Sequence, residues 1–180
     1  MGYDPEKHHR RSIRLRGWDY SRPGAYFVTI CTHNGECLLG WVVDGKMMLS
    51  PWGQIARDEW MASAKIRHEI RLDAFVVMPD HIHGIIWIVA GNNVGATGRS
   101  PLRPHGPSPK SLGSFIAGYK SAVTKRINEM RKTPGTPVWQ RNYYEHIIRD
   151  EEESNATRLY IIENPQNWDI DTENPDFRQL

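Results

Sequence analysis

Residues 81 to 89, His-Ile-His-Gly-Ile-Ile-Trp-Ile-Val, limit the fold more than any other stretch of the chain. The run from Ile85 to Ile88 is apolar at every position. A strand built from it needs cover on both faces and belongs in the middle of a sheet. The start of the run is polar in a specific way. His81 and His83 are two residues apart, so both imidazoles project from one face of a strand while Ile82 enters the opposite layer. Two neutral imidazole nitrogens side by side suit one divalent cation. A His-x-His pair also occurs as ordinary surface or structural polarity. Its place here, after the tight connection Met78-Pro79-Asp80 and at the mouth of a buried strand, favours a ligand, because imidazoles without a partner are costly to bury.

The other elements build around that strand. Ala25 to Thr32 is aromatic and β-branched and predicts a strand entered through Arg22-Pro23-Gly24. Leu38 to Val43 and Lys46 to Leu49 flank Asp44-Gly45, a hairpin signal because both turn residues tolerate positive φ. Ser50-Pro51 predicts an N-cap and first-turn proline, opening a helix that carries Ile55, Trp60 and Ile66 to the core and ends near His68. Ile70 to Val77 predicts the strand that precedes the His-Ile-His strand. Gly91 to Pro109 is rich in Gly and Pro and predicts a mobile loop. A basic helix is expected from Lys110 to Lys132, with Phe115, Ile116, Tyr119, Val123 and Ile127 on its apolar side. Tyr143 to Ile148 predicts a short edge strand.

Asp150 is placed to cap a last helix, with Glu153 in the capping-box position and Glu151 and Glu152 at the positive end of the dipole. Pro165 is expected to stop this helix at Asn164. Tyr160 and Asn164, four apart, share one face of it. They suit either a core aromatic with a plain C-cap or a hydroxyl and a carboxamide offered to one site. Mixed helices and strands in this order predict one α+β domain on a largely antiparallel sheet. The expected division is a basic arm over residues 1–24, a catalytic-type domain over 25–168 holding the loop at 90–110, and a tail over 169–180.

Charge narrows the function. The chain of 180 residues has a net charge of only +2, so overall charge does not announce a nucleic-acid partner. Its distribution does more. Arg10, Arg11, Arg14 and Arg16 crowd the N-terminal arm beside Lys7, His8 and His9. Such an arm is either a solvated tail or a phosphate-binding element with steep salt dependence. The first twenty residues are too basic for a secretory signal, and no apolar run is long enough to cross a bilayer, so a cytoplasmic location without membrane contact is expected. Cys31 and Cys37, close together in a strand region, are expected as reduced core thiols rather than a disulfide.

Several segments, in order and spanning about Arg10 to Trp168, resemble one family. Met78-Pro79-Asp80-His81-Ile82-His83-Gly84 resembles the His-hydrophobic-His motif of single-tyrosine transposases of the HUH type. Tyr160-Ile161-Ile162-Glu163-Asn164-Pro165 resembles their C-terminal tyrosine motif. Arg11 to Leu15, Pro23 to Thr32 and Trp139-Gln140-Arg141-Asn142-Tyr143-Tyr144-Glu145-His146 are similar to the branch called REP-associated tyrosine transposases, which act on repetitive extragenic palindromes in bacterial chromosomes.

The resemblance implies a ferredoxin-like, RRM-like antiparallel sheet with packed helices. It implies that His81 and His83 hold Mg²⁺ or Mn²⁺, with Asn164 as a third ligand where insertion-sequence relatives usually carry Gln. It also implies that Tyr160 attacks single-stranded DNA to form a 5′-phosphotyrosine and a free 3′-OH. Hairpin DNA would be gripped by Arg10, Arg11, Arg14 and Arg16 and by Lys120 and Lys125 of the basic helix, in a monomer or a homodimer. Two other readings stay open on the residues alone: a metal phosphodiesterase in which His81 and His83 activate water, and a module that binds hairpin DNA without cutting it. Tyr143 and Tyr144 are a rival pair of nucleophiles. As strand neighbours they point to opposite faces, so at most one could reach the histidines.

Overall fold

The computed structural model describes residue 15 and residues 17–89 and 107–170. Arg10, Arg11, Arg14 and Arg16 of the expected basic arm, most of the Gly91 to Pro109 loop and residues 171–180 of the expected tail lie outside the described residues. In chain order the elements are β1 (Gly24–Cys31), β2 (Gly40–Val43), β3 (Lys46–Leu49), α1 (Pro51–Ile66), β4 (Ile70–Val77), β5 (His81–Ile88), α2 (Leu112–Arg131), β6 (Tyr144–Ile148) and α3 (Glu151–Glu163). Short 3-10 turns follow β1 at His33–Gly35 and α3 at Asn164–Ile170.

Without the β2–β3 hairpin the order is βαββαβ. The four-stranded sheet runs β4-β5-β1-β6 with every neighbouring pair antiparallel. This is the ferredoxin-like α+β arrangement. The apolar run of β5 is central, paired with β1 on one side and β4 on the other, and β6 is the edge strand.

One sheet face carries the main core. Tyr26, Val28 and Ile30 of β1 and Ile82 and Ile86 of β5 lie against Ile55, Ala56 and Trp60 of α1 and Phe115, Ile116, Tyr119, Val123 and Ile127 of α2. Trp60 stacks on Phe75 at 4.6 Å and meets Phe115 and Tyr119 edge-on. The Tyr119 hydroxyl donates to the Ala56 carbonyl over 3.0 Å and ties α2 to α1. Gly84, between the histidines and the apolar run, makes room for this indole. A Cβ there would stand 2.4 Å from Trp60 Cζ2, closer than atoms can approach.

Local signals hold at several termini. Ser50 Oγ accepts from Gly53 N ahead of Pro51, and Asp150 Oδ1 accepts from Glu153 N. Glu153 reaches back one residue further than a capping box requires, accepting from Arg149 N. Asp44 and Gly45 both have positive φ, as a two-residue hairpin turn requires.

Other expectations change. Ile66 ends α1 at 72% exposure rather than entering the core. Helix α2 begins at Leu112, where Ser111 supplies the cap and Lys110 takes positive φ. At Pro165 the expectation holds, for α3 ends at Glu163 with Asn164 as its C-cap. Asn164 keeps α geometry and the chain continues as a 3-10 turn, since a proline without an N–H fits the first position of a new turn. Trp168, 8% exposed, anchors that turn. Cys31 and Cys37 form no disulfide, and Cys37 is exposed rather than in the core. Among the described residues no helix is long and apolar enough to cross a membrane.

Candidate functional site

The second sheet face carries the site. Alternation along β5 sends His81, His83, Ile85 and Trp87 to this side, and register places Cys31 beside His81 and Thr29 beside His83. His81 Nδ1 donates to Asp80 Oδ1 over 2.7 Å, and His83 Nδ1 shares a hydrogen bond with the Thr29 hydroxyl over 2.9 Å. With both outer nitrogens engaged, each ring turns its Nε2 inward. The two Nε2 atoms stand 3.0 Å apart. Burial, and then the neighbouring His81, push the His83 imidazole well below its usual pKa, which keeps it a neutral donor.

Helix α3 crosses this face and brings in the other half of the tyrosine motif. The Tyr160 hydroxyl donates to His83 Nε2 over 3.3 Å while its side chain stays 49% exposed. Asn164 is 2% exposed, and its Oδ1 is buried with no hydrogen-bond partner among the described residues. Tyr160 and Trp168, four residues before and after it, contact the rings of His83 and His81 respectively. Asn164 therefore sits on the stretch that closes over both imidazoles. A buried carboxamide oxygen without a partner costs about 1–3 kcal/mol, which an electropositive ligand would offset.

The donor set fits a divalent cation. The two Nε2 atoms share a hydrogen bond at 3.0 Å, and a cation that displaced its proton would meet two nitrogen lone pairs at once. Two nitrogens about 2.1 Å from an octahedral ion stand about 3.0 Å apart, the spacing seen here. Among the described residues no group of three His, Cys, Asp and Glu side chains could form a cage, so a third protein ligand has to be of another type. The orphaned oxygen of Asn164 is of that type.

Two residues that sequence reasoning passed over hold α3 in place. Arg158 makes a two-pronged bond to Asp73 of β4, at 3.0 Å from Nε and 2.8 Å from Nη2, and Trp87 Nε1 donates to the same carboxylate over 2.9 Å. The Arg158 bond, above all, holds the Asp73 carboxyl well below the ordinary carboxylate range. Below the clamp, Ile161 packs with Ala25, Ile85 and Ile148. Asp80 and Thr29 were also given no role from sequence. Asp80 stood beside His81 in plain view, whereas Thr29 is 54 residues from His83 and only strand register joins them.

The two basic-helix residues differ. Lys120 Nζ donates to the carbonyls of Gln140 and Asn142, at 2.8 and 2.7 Å, and burial lowers its pKa to about 8. Lys125 is exposed and pairs loosely with Glu129 at 3.9 Å. Tyr143 packs on the core with Lys120 over its ring, while Tyr144 turns to the α3 face.

No family model matches the chain. A Haemophilus influenzae protein described as uncharacterized is 39% identical over 173 residues, which cover 94% of this chain and 95% of that protein. The chain belongs to the family of that protein. At the level of fold, the structure of a REP-associated tyrosine transposase bound to a REP hairpin superimposes with a TM-score of 0.59 at 20% identity, covering 87% of this chain and 74% of the other. The chain therefore has the fold of a REP-associated tyrosine transposase.

Proposed function

We propose that this protein cleaves and rejoins single-stranded DNA as a metal-dependent tyrosine transposase, with Tyr160 as the nucleophile. One observation carries the reading. The Tyr160 hydroxyl, the Nε2 atoms of His83 and His81, and the helix bearing the orphaned Asn164 oxygen meet on one sheet face. His81, His83 and Asn164 would hold Mg²⁺ or Mn²⁺, which when bound polarises the scissile phosphate and offsets the charge that develops there.

The chain's own residues do the rest. Asp80 and Thr29 orient the imidazoles, and β5 sets their spacing. Tyr160 Oη attacks phosphorus in line, so that the Oη–P bond forms while the P–O3′ bond breaks. The phenol loses its proton and the departing 3′ oxygen gains one. The ester is conserved as a 5′-phosphotyrosine, so attack by a 3′-OH reverses the step and joins strands without ATP.

Hairpin DNA of repetitive palindromes is the proposed substrate, motivated by the hairpin-bound fold relative. Arg10, Arg11, Arg14 and Arg16 would contact its phosphates and set its position. The Arg158–Asp73 clamp and the seat of Ile161 favour a tyrosine helix acting on its own sheet, within a monomer. Chromosomal DNA as substrate places the reaction in the cytoplasm.

The test is incubation with labelled single-stranded palindromes from around the gene and Mn²⁺, followed by denaturing electrophoresis and mass spectrometry of the DNA-linked peptide. A covalent adduct on Tyr160, lost with chelator and in His81→Ala, is the expected result. Cleavage without any adduct would support the water-using phosphodiesterase instead. Tight hairpin binding with neither product would support the non-cutting module.

A further inference from the structure

Tyr143 and Tyr144 follow Trp139-Gln140-Arg141-Asn142, and the proposed chemistry uses neither. They leave the chain on opposite sides. Tyr143 joins the main core, whereas Tyr144, at the start of edge strand β6, is 41% exposed on the α3 face. Its ring meets Phe27 edge-on at 6.2 Å. Phe27 meets Tyr160 at 6.0 Å and His83 at 5.3 Å. A continuous row of aromatic rings thus runs from the rim of the sheet to the nucleophile. A single exposed tyrosine is ordinary. An exposed ring two contacts from an attacking hydroxyl is placed where substrate has to pass. Helix α3 does not cover it, since its buried contact, Ile161, sits further along the strands against Ala25, Ile85 and Ile148.

We propose that Tyr144, backed by Phe27, is a nucleobase-stacking subsite that holds the base next to the phosphate attacked by Tyr160. The inference rests on the reading of Tyr160 as a nucleophile toward single-stranded DNA. An unpaired base offers a bare π face to a ring, whatever its sequence, while a base in a duplex has both faces occupied by its neighbours. The subsite would therefore select single-stranded DNA without reading base edges. The ring-to-ring steps are short enough for the stacked base and the attacked phosphate to belong to the same or adjacent nucleotides. Stacking on Tyr144 would hold that phosphate in line with the Tyr160 hydroxyl.

Binding is measured in Tyr160→Phe, so that no cleavage intervenes, with the full chain and single-stranded palindromic oligonucleotides. One base at a time is removed as an abasic site on either side of the cleavage position. Adding Tyr144→Ala should weaken binding roughly 5- to 150-fold. One abasic position should weaken the parent by a similar factor, and the two changes together should cost no more than either alone. Adding Tyr144→Phe should restore parental affinity, because the ring and not the hydroxyl does the work. 2-Aminopurine at that position should be quenched by the parent and by the Phe variant, and not by the Ala variant.

Additive losses at every position would overturn the subsite, as would an Ala variant that only melts earlier. A Phe variant as weak as the Ala variant would overturn it too. Coupling between Tyr144 and one abasic position, where the protein with Tyr160 intact never forms an adduct on the same oligonucleotide, would keep the subsite and sink the transfer chemistry. A parent that binds no single-stranded DNA would sink both.

Discussion

The two faces of the sheet are built on different principles, although β5 supplies both. The face under α1 and α2 is filled with large apolar side chains, and α2 alone buries Phe115, Ile116, Tyr119, Val123 and Ile127. Trp60 lies so close to Gly84 that neither can be enlarged. The other face carries one helix. Helix α3 buries only Ser154 and Ile161 along its length and depends on a polar clamp to β4. The imidazoles are thus fixed by a core they do not enter, while the tyrosine rides on the most lightly held helix. Candidate ligands need a fixed spacing, whereas a nucleophile that carries a DNA strand benefits from a support able to open at small cost.

The contrast is broken most sharply by removing one oxygen. If Tyr160 is the nucleophile as proposed, Tyr160→Phe should lower adduct formation by several orders of magnitude, since it is the tyrosine hydroxyl that reaches His83 Nε2. Melting temperature should change by little, because the residue is half exposed and the hydroxyl makes one long hydrogen bond. Trp60→Ala should do the reverse. It should cost about 3–5 kcal/mol of stability and lower the melting temperature by roughly 6–20 °C, with the activity of the remaining folded protein falling less. Calorimetry beside single-turnover cleavage separates the two. A Tyr160→Phe protein that still formed adduct, or a Trp60→Ala protein as stable as its parent, would mean that the faces do not divide labour in this way.

The division was only partly legible in the sequence. The apolar run Ile85 to Ile88 announced a central strand because no other position covers it on both sides. Alternation in His81-Ile82-His83 told which residues share a face. The capped starts of α1 and α3 were legible for the same reason: their cause is local. Pro165 was legible too, since proline forbids the next α-helical bond and α3 ends at Glu163, although a fresh 3-10 turn follows it. Ile66 was misread because helical period alone does not tell whether a residue in the last turn meets the core. Thr29, Asp73 and Arg158 had no local signal. Their roles arise from register between strands and from where α3 crosses the sheet, which a linear pattern does not encode.

A moderate effect is expected at the clamp. Arg158→Ala should free α3 without unfolding the domain, speeding amide exchange over Glu151–Glu163 while α2 stays protected. The global cost should be about 1 kcal/mol or less, as the pair is partly solvated. Adduct formation should slow while DNA affinity holds, because Tyr160 loses its position and the phosphate contacts do not. The pH dependence has a definite sign. Arg158 depresses the Asp73 pKa, so the clamp is complete above the unfolded carboxylate pKa of about 3.9 and weakens as pH falls toward the lower folded value. Protection of α3 should be flat from pH 6 to 9 and drop only in strong acid. A drop between pH 6 and 7 would point to a histidine instead.

The smallest effects are expected from the two lysines of α2, and they sharpen the comparison because both lie away from the α3 face. Lys120 already gives its ammonium to the carbonyls of Gln140 and Asn142, so Lys120→Met should destabilise that segment without changing the salt dependence of DNA binding. Burial sets its folded pKa near 8, below the unfolded 10.4, so the unfolded chain holds more protons between those values. Relative to the Met variant, the parent should gain stability as pH rises from about 8 to 10.4. Lys125 is the opposite case. Exposed and 3.9 Å from Glu129, it contributes about 0.5 kcal/mol at most to stability, and Lys125→Ala should melt with the parent. If hairpin DNA reaches across α2, the same substitution should reduce the slope of log K against log salt by about 0.7–0.9, the loss of one phosphate contact. If the slope is unchanged, DNA stays on the α3 side, and the basic helix serves the core face alone.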